Sequence, residues 1–181
     1  MRTINIIGEI NDKTVKNVLE EIFKIEEEDN EIILENEKFS DEIHHKKLKD
    51  LTINITSVGG YTYGFSAIYD ALSKLKCKVI TRGYGLCSSA GFYLLLAGEE
   101  RYAGKHTEFL YHTVGYNKPY ELLHHHAIYA EHSKRIQKKL DEIVINKTKI
   151  TKEMLNQYKK EDWWMLYEEA LELGVIHGEI Q

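Results

Sequence analysis

The sequence predicts an α/β fold: a parallel sheet with crossover helices. Three observations predict it. Short apolar runs alternate with amphipathic stretches; two of these runs end in small-residue turns, Ser57-Val58-Gly59-Gly60 and GLCSSAG at 85–91; and each turn leads into an apolar segment of helical period. Right-handed crossovers then bring both turns to one edge, the carboxyl ends of the strands, where sites of α/β proteins form.

Taken in order, Thr3 to Ile7 alternates as a short strand and stops at Gly8. Asn11 offers an N-cap to a helix whose Val15, Val18, Leu19, Ile22 and Phe23 share one face. The acidic stretch Glu26 to Asn30 reads as its solvated end. Residues 31–50 are charge-rich and read as an insertion, either a hairpin or an excursion from the sheet. Their His44 and His45 are neighbours, so their side chains diverge and are poorly placed to share one ion. Leu51 to Thr56 is a strand, and the helix after its glycine turn, Gly64 to Lys76, buries Phe65, Ile68, Tyr69, Leu72 and Leu75. Val79 to Tyr84 is a strand, Ser88 to Leu96 a buried helix and Phe109 to Tyr111 a further strand. Tyr120 to Thr148 forms a long polar helix with an interrupted apolar stripe. Its His124, His125 and His126 fan out by about a hundred degrees each, which suits a surface better than an ion. Lys152 to Lys160 is followed by DWWMLYEEALELGVI, read as a helix closed by Gly174.

Composition narrows the function. The 181 residues suit one domain with a substantial core, and 43% hydrophobic with 29% charged residues is ordinary for a globular protein. A net charge of −5 without a basic cluster argues against a nucleic-acid surface. Cys77 and Cys87 lack metal spacing, and so few cysteines suit a reducing compartment. The start, MRTINIIGEINDK, has no signal-type apolar region, and FYLLLAG is too short to span a bilayer, so a cytoplasmic protein without a membrane partner is expected.

The chemistry centres on Cys87, Ser88 and Ser89. A nucleophile at a helix start has unpaired amides beside it for a developing oxyanion. Ser89-Ala90-Gly91 fits that position, although Cys87 stands where a full G-x-S-x-G elbow has its first glycine. A serine needs a base, and His112, ending the strand FLYHT, reaches the same edge. A carboxylate must hold the imidazole. Asp162, before Trp163 and Trp164, is the best-shielded candidate, with Glu161 and Asp141 left open. A Gly60 amide could join that of Ala90 in an oxyanion hole, the bland alternative being a tight turn that needs only glycine conformations.

These residues resemble the ClpP family, the serine peptidase subunit of the Clp protease. INIIGEIND looks like its opening strand, and INITSVGGYTYGFSAIYDAL its I-N-S-P-G-G…A-I-Y-D segment. TRGYGLCSSAGFYLLLAG is similar to the stretch bearing its nucleophile, RYAGKHTEFLYHT to that bearing its histidine, and EDWWMLYEEALELGVI to its aspartate-bearing tail. The resemblance implies a ClpP/crotonase-like fold of repeated β-β-α units with a protruding handle-like helix. It implies Ser89 as nucleophile, His112 as base, Asp162 as orienting carboxylate, and the Gly60 and Ala90 amides as oxyanion hole. No metal or other cofactor is implied. The partners implied are a peptide or unfolded-protein substrate, further copies in a heptameric ring or double ring, and a Clp-type ATPase unfoldase.

The chain departs from the family at several points. Val58 replaces the usual proline, GYNKPYELL replaces a glycine-rich strand after the histidine, and residues 31–50 exceed the family connection. The opening implies a missing or very short axial loop, which suggests a phage- or prophage-type variant. Two other readings keep the fold: a crotonase-like acyl-CoA enzyme, and an inactive ring subunit or scaffold.

Overall fold

The computed structural model describes residues 2–39, 42–115 and 122–181. In chain order come β1 (Arg2–Ile10), α1 (Asp12–Asn36), a short 3-10 turn (Glu42–His44), β2 (Leu51–Gly60), α2 (Thr62–Leu72), β3 (Val79–Ser88) and α3 (Ala90–Leu95). Then follow β4 (Glu100–Ala103), β5 (Glu108–Tyr111), α4 (Leu123–Lys147), α5 (Lys152–Gln157), β6 (Trp163–Met165), α6 (Tyr167–Glu172) and β7 (Gly178–Glu179). Strands β1, β2, β3, β4 and β7 lie side by side, all parallel.

The sheet forks at β3. Residues 80–83 of β3 pair with β4, whereas 86–88 pair with β5, on which β6 lies antiparallel. Between the pairs Ile55↔Gly83 and Ser57↔Cys87 the ladder advances two residues on β2 but four on β3. Gly85, inside this bulge, has φ +66, a conformation glycine adopts without a Cβ penalty. The bulge swings the end of β3 toward β5, carrying the 85–91 segment with it. Strands therefore run further than local pattern indicates. β2 includes the whole Ser57 to Gly60 turn, and α3 begins at Ala90 instead of Ser88.

Helix α1 begins as expected, with the Asn11 side chain accepting the Lys13 and Thr14 amides at 3.1 and 3.2 Å. It then continues to Asn36, so residues 31–36 are helix, neither hairpin nor sheet excursion. Its buried stripe is Val15, Val18, Ile22, Ile25 and Asp29, whereas Phe23 is 50% exposed. Asp29 corrects the reading of a solvated acidic end. Its carboxylate is buried and accepts Arg2 Nη1 at 2.6 Å and Nη2 at 3.2 Å. A buried carboxylate is tolerable when paired in this way. On α2, a Cβ at Gly64 would lie 2.6 Å from Val15 Cγ2, so glycine lets the two helices touch.

Helix α4 packs through Leu140 and Val144, while its amino-terminal half stands largely clear, with Ile128 61% exposed. Its described start is Leu123, and the positions expected to replace a glycine-rich strand fall largely on 116–121, outside the described residues. The rings of His124 and His125 meet edge to face, centroids 4.3 Å apart. Among the described residues, no group of three His, Cys, Asp or Glu is placed to hold an ion, and no helix is long and apolar enough to cross a membrane. The tail differs from expectation at its start: Trp163 and Met165 are buried and Trp164 half-exposed, the period of a strand, so the helix begins only at Tyr167. Gly174, with φ +72, closes it as expected.

Candidate active site

Ser89 stands between β3 and α3 with φ 54 and ψ −119. Among the described residues it is the one non-glycine with a positive φ. Such a backbone costs on the order of 1–3 kcal/mol and persists only when its surroundings enforce it. Here both sides do. The Ser89 amide donates to Leu110 O at 2.9 Å, and its carbonyl accepts the Tyr93 amide at 3.2 Å. The sharp turn lifts the hydroxyl out of the strand plane at the first turn of α3, where the Ala90 amide has no partner within the helix.

The glycine turn of β2 closes the other side. A Cβ at Gly59 would sit 2.6 Å from Ser89 Cβ, and one at Gly60 2.2 Å from Ile10 O. Neither position admits a side chain without moving Ser89 or β1. The Gly59 amide is engaged, donating to Ser57 Oγ at 3.0 Å, which in turn donates to Gly8 O at 2.6 Å. Gly60 itself lines the neighbouring pocket.

That pocket, about 240 Å³, is lined by Gly60, Ser89, Ala90 and His112, with Phe65, Tyr93 and Leu140 among its apolar walls. Four of the five sequence-derived site residues thus meet in one place. His112 is half-buried, and its Nδ1 lies 2.8 Å from Thr113 O. A carbonyl only accepts, so Nδ1 carries a proton in this contact, and in the neutral ring Nε2 is then the bare nitrogen. That tautomer can receive a serine proton.

Asp162 is not part of the pocket lining. It is exposed and immediately precedes β6. The β5–β6 register ends with Tyr111 paired to Trp163, so His112 and Asp162 are the residues adjoining the last pair. The other two carboxylates fare differently. Asp141 Oδ1 already accepts Tyr111 Oη at 2.7 Å and Gln137 Nε2 at 2.6 Å, while Gln137 Oε1 accepts the Val114 amide at 2.7 Å. Burial, then this bond to Asp141, raises the Tyr111 phenol above its ordinary range. Asp141 therefore braces the segment after β5. Glu161 is exposed. The Thr113 carbonyl and this brace carry no sequence signal, because backbone groups and long-range partners leave none.

Cys87, two residues before Ser89, is fully buried under the bulge, its Sγ 3.7 Å from Ile55 O. Burial pushes its thiol from 9.0 up to about 12. At Cys77, burial first and then a hydrogen bond to Asp29 push the thiol up to about 11. Both are raised, so the stability gained by keeping the thiols neutral is whole below pH 9 and is lost as pH climbs through those folded values. Both cysteines are expected to resist iodoacetamide at pH 8 in the native protein and to react fully in guanidinium, read by intact mass. Native alkylation of Cys87 would contradict this packing.

The sequence model of the Clp protease family matches residues 42–181. The ATP-dependent Clp protease proteolytic subunit 2 of Rhodococcus jostii is 30% identical over 132 residues, which are 71% of this chain and 66% of that protein. The ATP-dependent Clp protease proteolytic subunit of Borreliella afzelii is 28% identical over 179 residues, 97% of this chain and 81% of that protein. A mutant ClpP1 from Listeria monocytogenes has the same fold, with TM-score 0.77 over 99% of this chain and 91% of its own, at 23% identity. The expected α/β fold with a protruding long helix is this one.

Proposed function

Because the chain belongs to the Clp protease family, we propose that it hydrolyses peptide bonds with Ser89, His112 and Asp162 inside an oligomeric chamber. The observation that carries this reading is Ser89, held at a positive φ before the start of α3 in the same pocket as the His112 imidazole. Ser89 Oγ attacks the peptide carbonyl while His112 Nε2 takes its proton. The oxyanion is held by the amides of Gly60 and Ala90. His112 then gives the proton to the leaving amine, and water, activated by the same imidazole, releases the acyl group from Ser89. In this reading the His112 ring exchanges its Nδ1 contact with Thr113 O for the Asp162 carboxylate, which then stabilises the imidazolium. Its support is position: Asp162 and His112 are the chain neighbours of the paired residues Trp163 and Tyr111. No metal or organic cofactor enters these steps.

The ring, the unfoldase partner and the cytoplasmic setting belong to the same proposal, supported by relatives described as subunits of an ATP-dependent protease. A crotonase-like acyl-CoA enzyme is not favoured by a Clp protease match over residues 42–181. A fluorophosphonate is the direct test. It is expected to modify Ser89 alone, seen by peptide mass, and to fail on His112→Ala. An assembled, folded protein that takes no label would instead support the scaffold reading.

A further inference from the structure

Beside the Ser89 pocket lies a second, larger cleft of about 830 Å³. Val114 and Gly115 border both, so the two spaces adjoin at the segment after β5. One wall is a stripe of α4 that includes Ser133, Gln137 and Ile145. Lysines outnumber carboxylates in its lining. Lys134 and Lys138 from α4, Lys152 at the start of α5 and Lys159 beyond its end all line the cleft, against Asp141 and Glu142. Asp141 is already committed to Tyr111 and Gln137. Lys134 has only a long, exposed contact to Glu131 at 3.9 Å, and Lys138, Lys152 and Lys159 have no ion pair among the described residues. A surplus of unpaired ammonium groups in a concavity is notable in a chain of net charge −5. Concave surfaces of one sign focus their field and attract the opposite charge.

We infer that this cleft is a subsite for acidic residues of the substrate, so that the chain selects peptides carrying Glu or Asp near the cut. The inference rests on the proposed peptidase reading. A chain laid over Ser89 and crossing Val114 and Gly115 would bring a nearby side chain among Lys138, Lys152 and Lys159. An ammonium–carboxylate contact there competes with Glu142 in the cleft and with Glu153 beside Lys152, and it screens with salt as exposed pairs do.

The test is a fluorogenic peptide series in which one Glu is moved through each position on both sides of the cut, with Gln controls. At 50 mM salt, at least one Glu position is expected to raise kcat/KM about fivefold over its Gln control. The ratio should approach one at 1 M salt, where the screening length is only about 3 Å. In Lys138→Glu/Lys159→Glu it should fall to one or below. In parallel, anisotropy of labelled Glu and Gln peptides on the Ser89→Ala protein reads the cleft without catalysis. Hydrolysis with equal rates for Glu and Gln, and equal binding, overturns the acidic subsite and leaves the peptidase standing. Binding that favours Glu, with no hydrolysis of any peptide, keeps the subsite and overturns the peptidase reading.

Discussion

Ser89→Ala is expected to lower kcat for a cleavable peptide by about 10⁶-fold, the scale on which serine peptidases lose activity without their nucleophile. His112→Ala should cost about as much, and the double variant no more than either, because the two groups act as one unit. Asp162→Asn is expected to cost about 10⁴-fold in kcat with little change in KM, since it removes the charge proposed to stabilise the imidazolium and not a substrate contact. Assays on protein whose assembly has been checked by sedimentation separate these losses from disassembly. Ser89→Gly sharpens the reading. It is expected to be as inactive as Ser89→Ala yet to melt a few degrees higher, because glycine adopts a positive φ without the strain that serine bears at φ 54. If Ser89→Ala kept activity within tenfold of the parent, the nucleophile would lie elsewhere.

The largest expected effect on stability is at Arg101, far from the chemistry. This guanidinium is 4% exposed and makes no carboxylate pair among the described residues. Backbone carbonyls surround it instead: Nε donates to Val175 O at 2.8 Å, Nη1 to Gly98 O at 3.2 Å, and Nη2 to Lys147 O and Gly174 O, both at 2.8 Å. Lys147 ends α4 and Gly174 follows α6, so the cation sits at the negative ends of two helices. Burial lowers its pKa from the ordinary arginine value, the expected sign for a desolvated cation. Arg101→Ala would leave four carbonyls without donors and is expected to cost about 3–5 kcal/mol. For a chain of this length that is a melting temperature lower by about 10 °C, read by circular dichroism. Arg101→Lys should rescue only part, because an ammonium cannot reproduce the planar fork. A melt within 2 °C of the parent for Arg101→Ala would show that these carbonyls find water or other donors cheaply.

Elements with a local cause were legible in the sequence. The Asn11 cap, the apolar face of α1 up to Ile22 and the stop at Gly174 all rest on neighbours a few residues away. Ser89 and His112 were singled out by type and position, and the fold brings both to one pocket. The misses share a cause. Trp163 to Met165 reads as helix by composition but becomes a strand because β5 offers it an antiparallel partner. Asp29 reads as solvated, but Arg2 receives it in the core. The reach of α1 through residues 31–36 follows from the buried stripe that Asp29 ends.

By itself, the sequence determined which segments alternate, where small residues permit tight turns and which side chains are able to exchange protons, since periodicity, capping and side-chain chemistry are properties of short stretches. Tertiary structure alone decided that the bulge at Gly85 would carry Ser89 toward β5, that the Thr113 carbonyl would set the tautomer of His112, and that unpaired lysines would gather beside the pocket. Each of these depends on contacts between segments brought together only by folding, and pairing across such distances is set by the whole sheet.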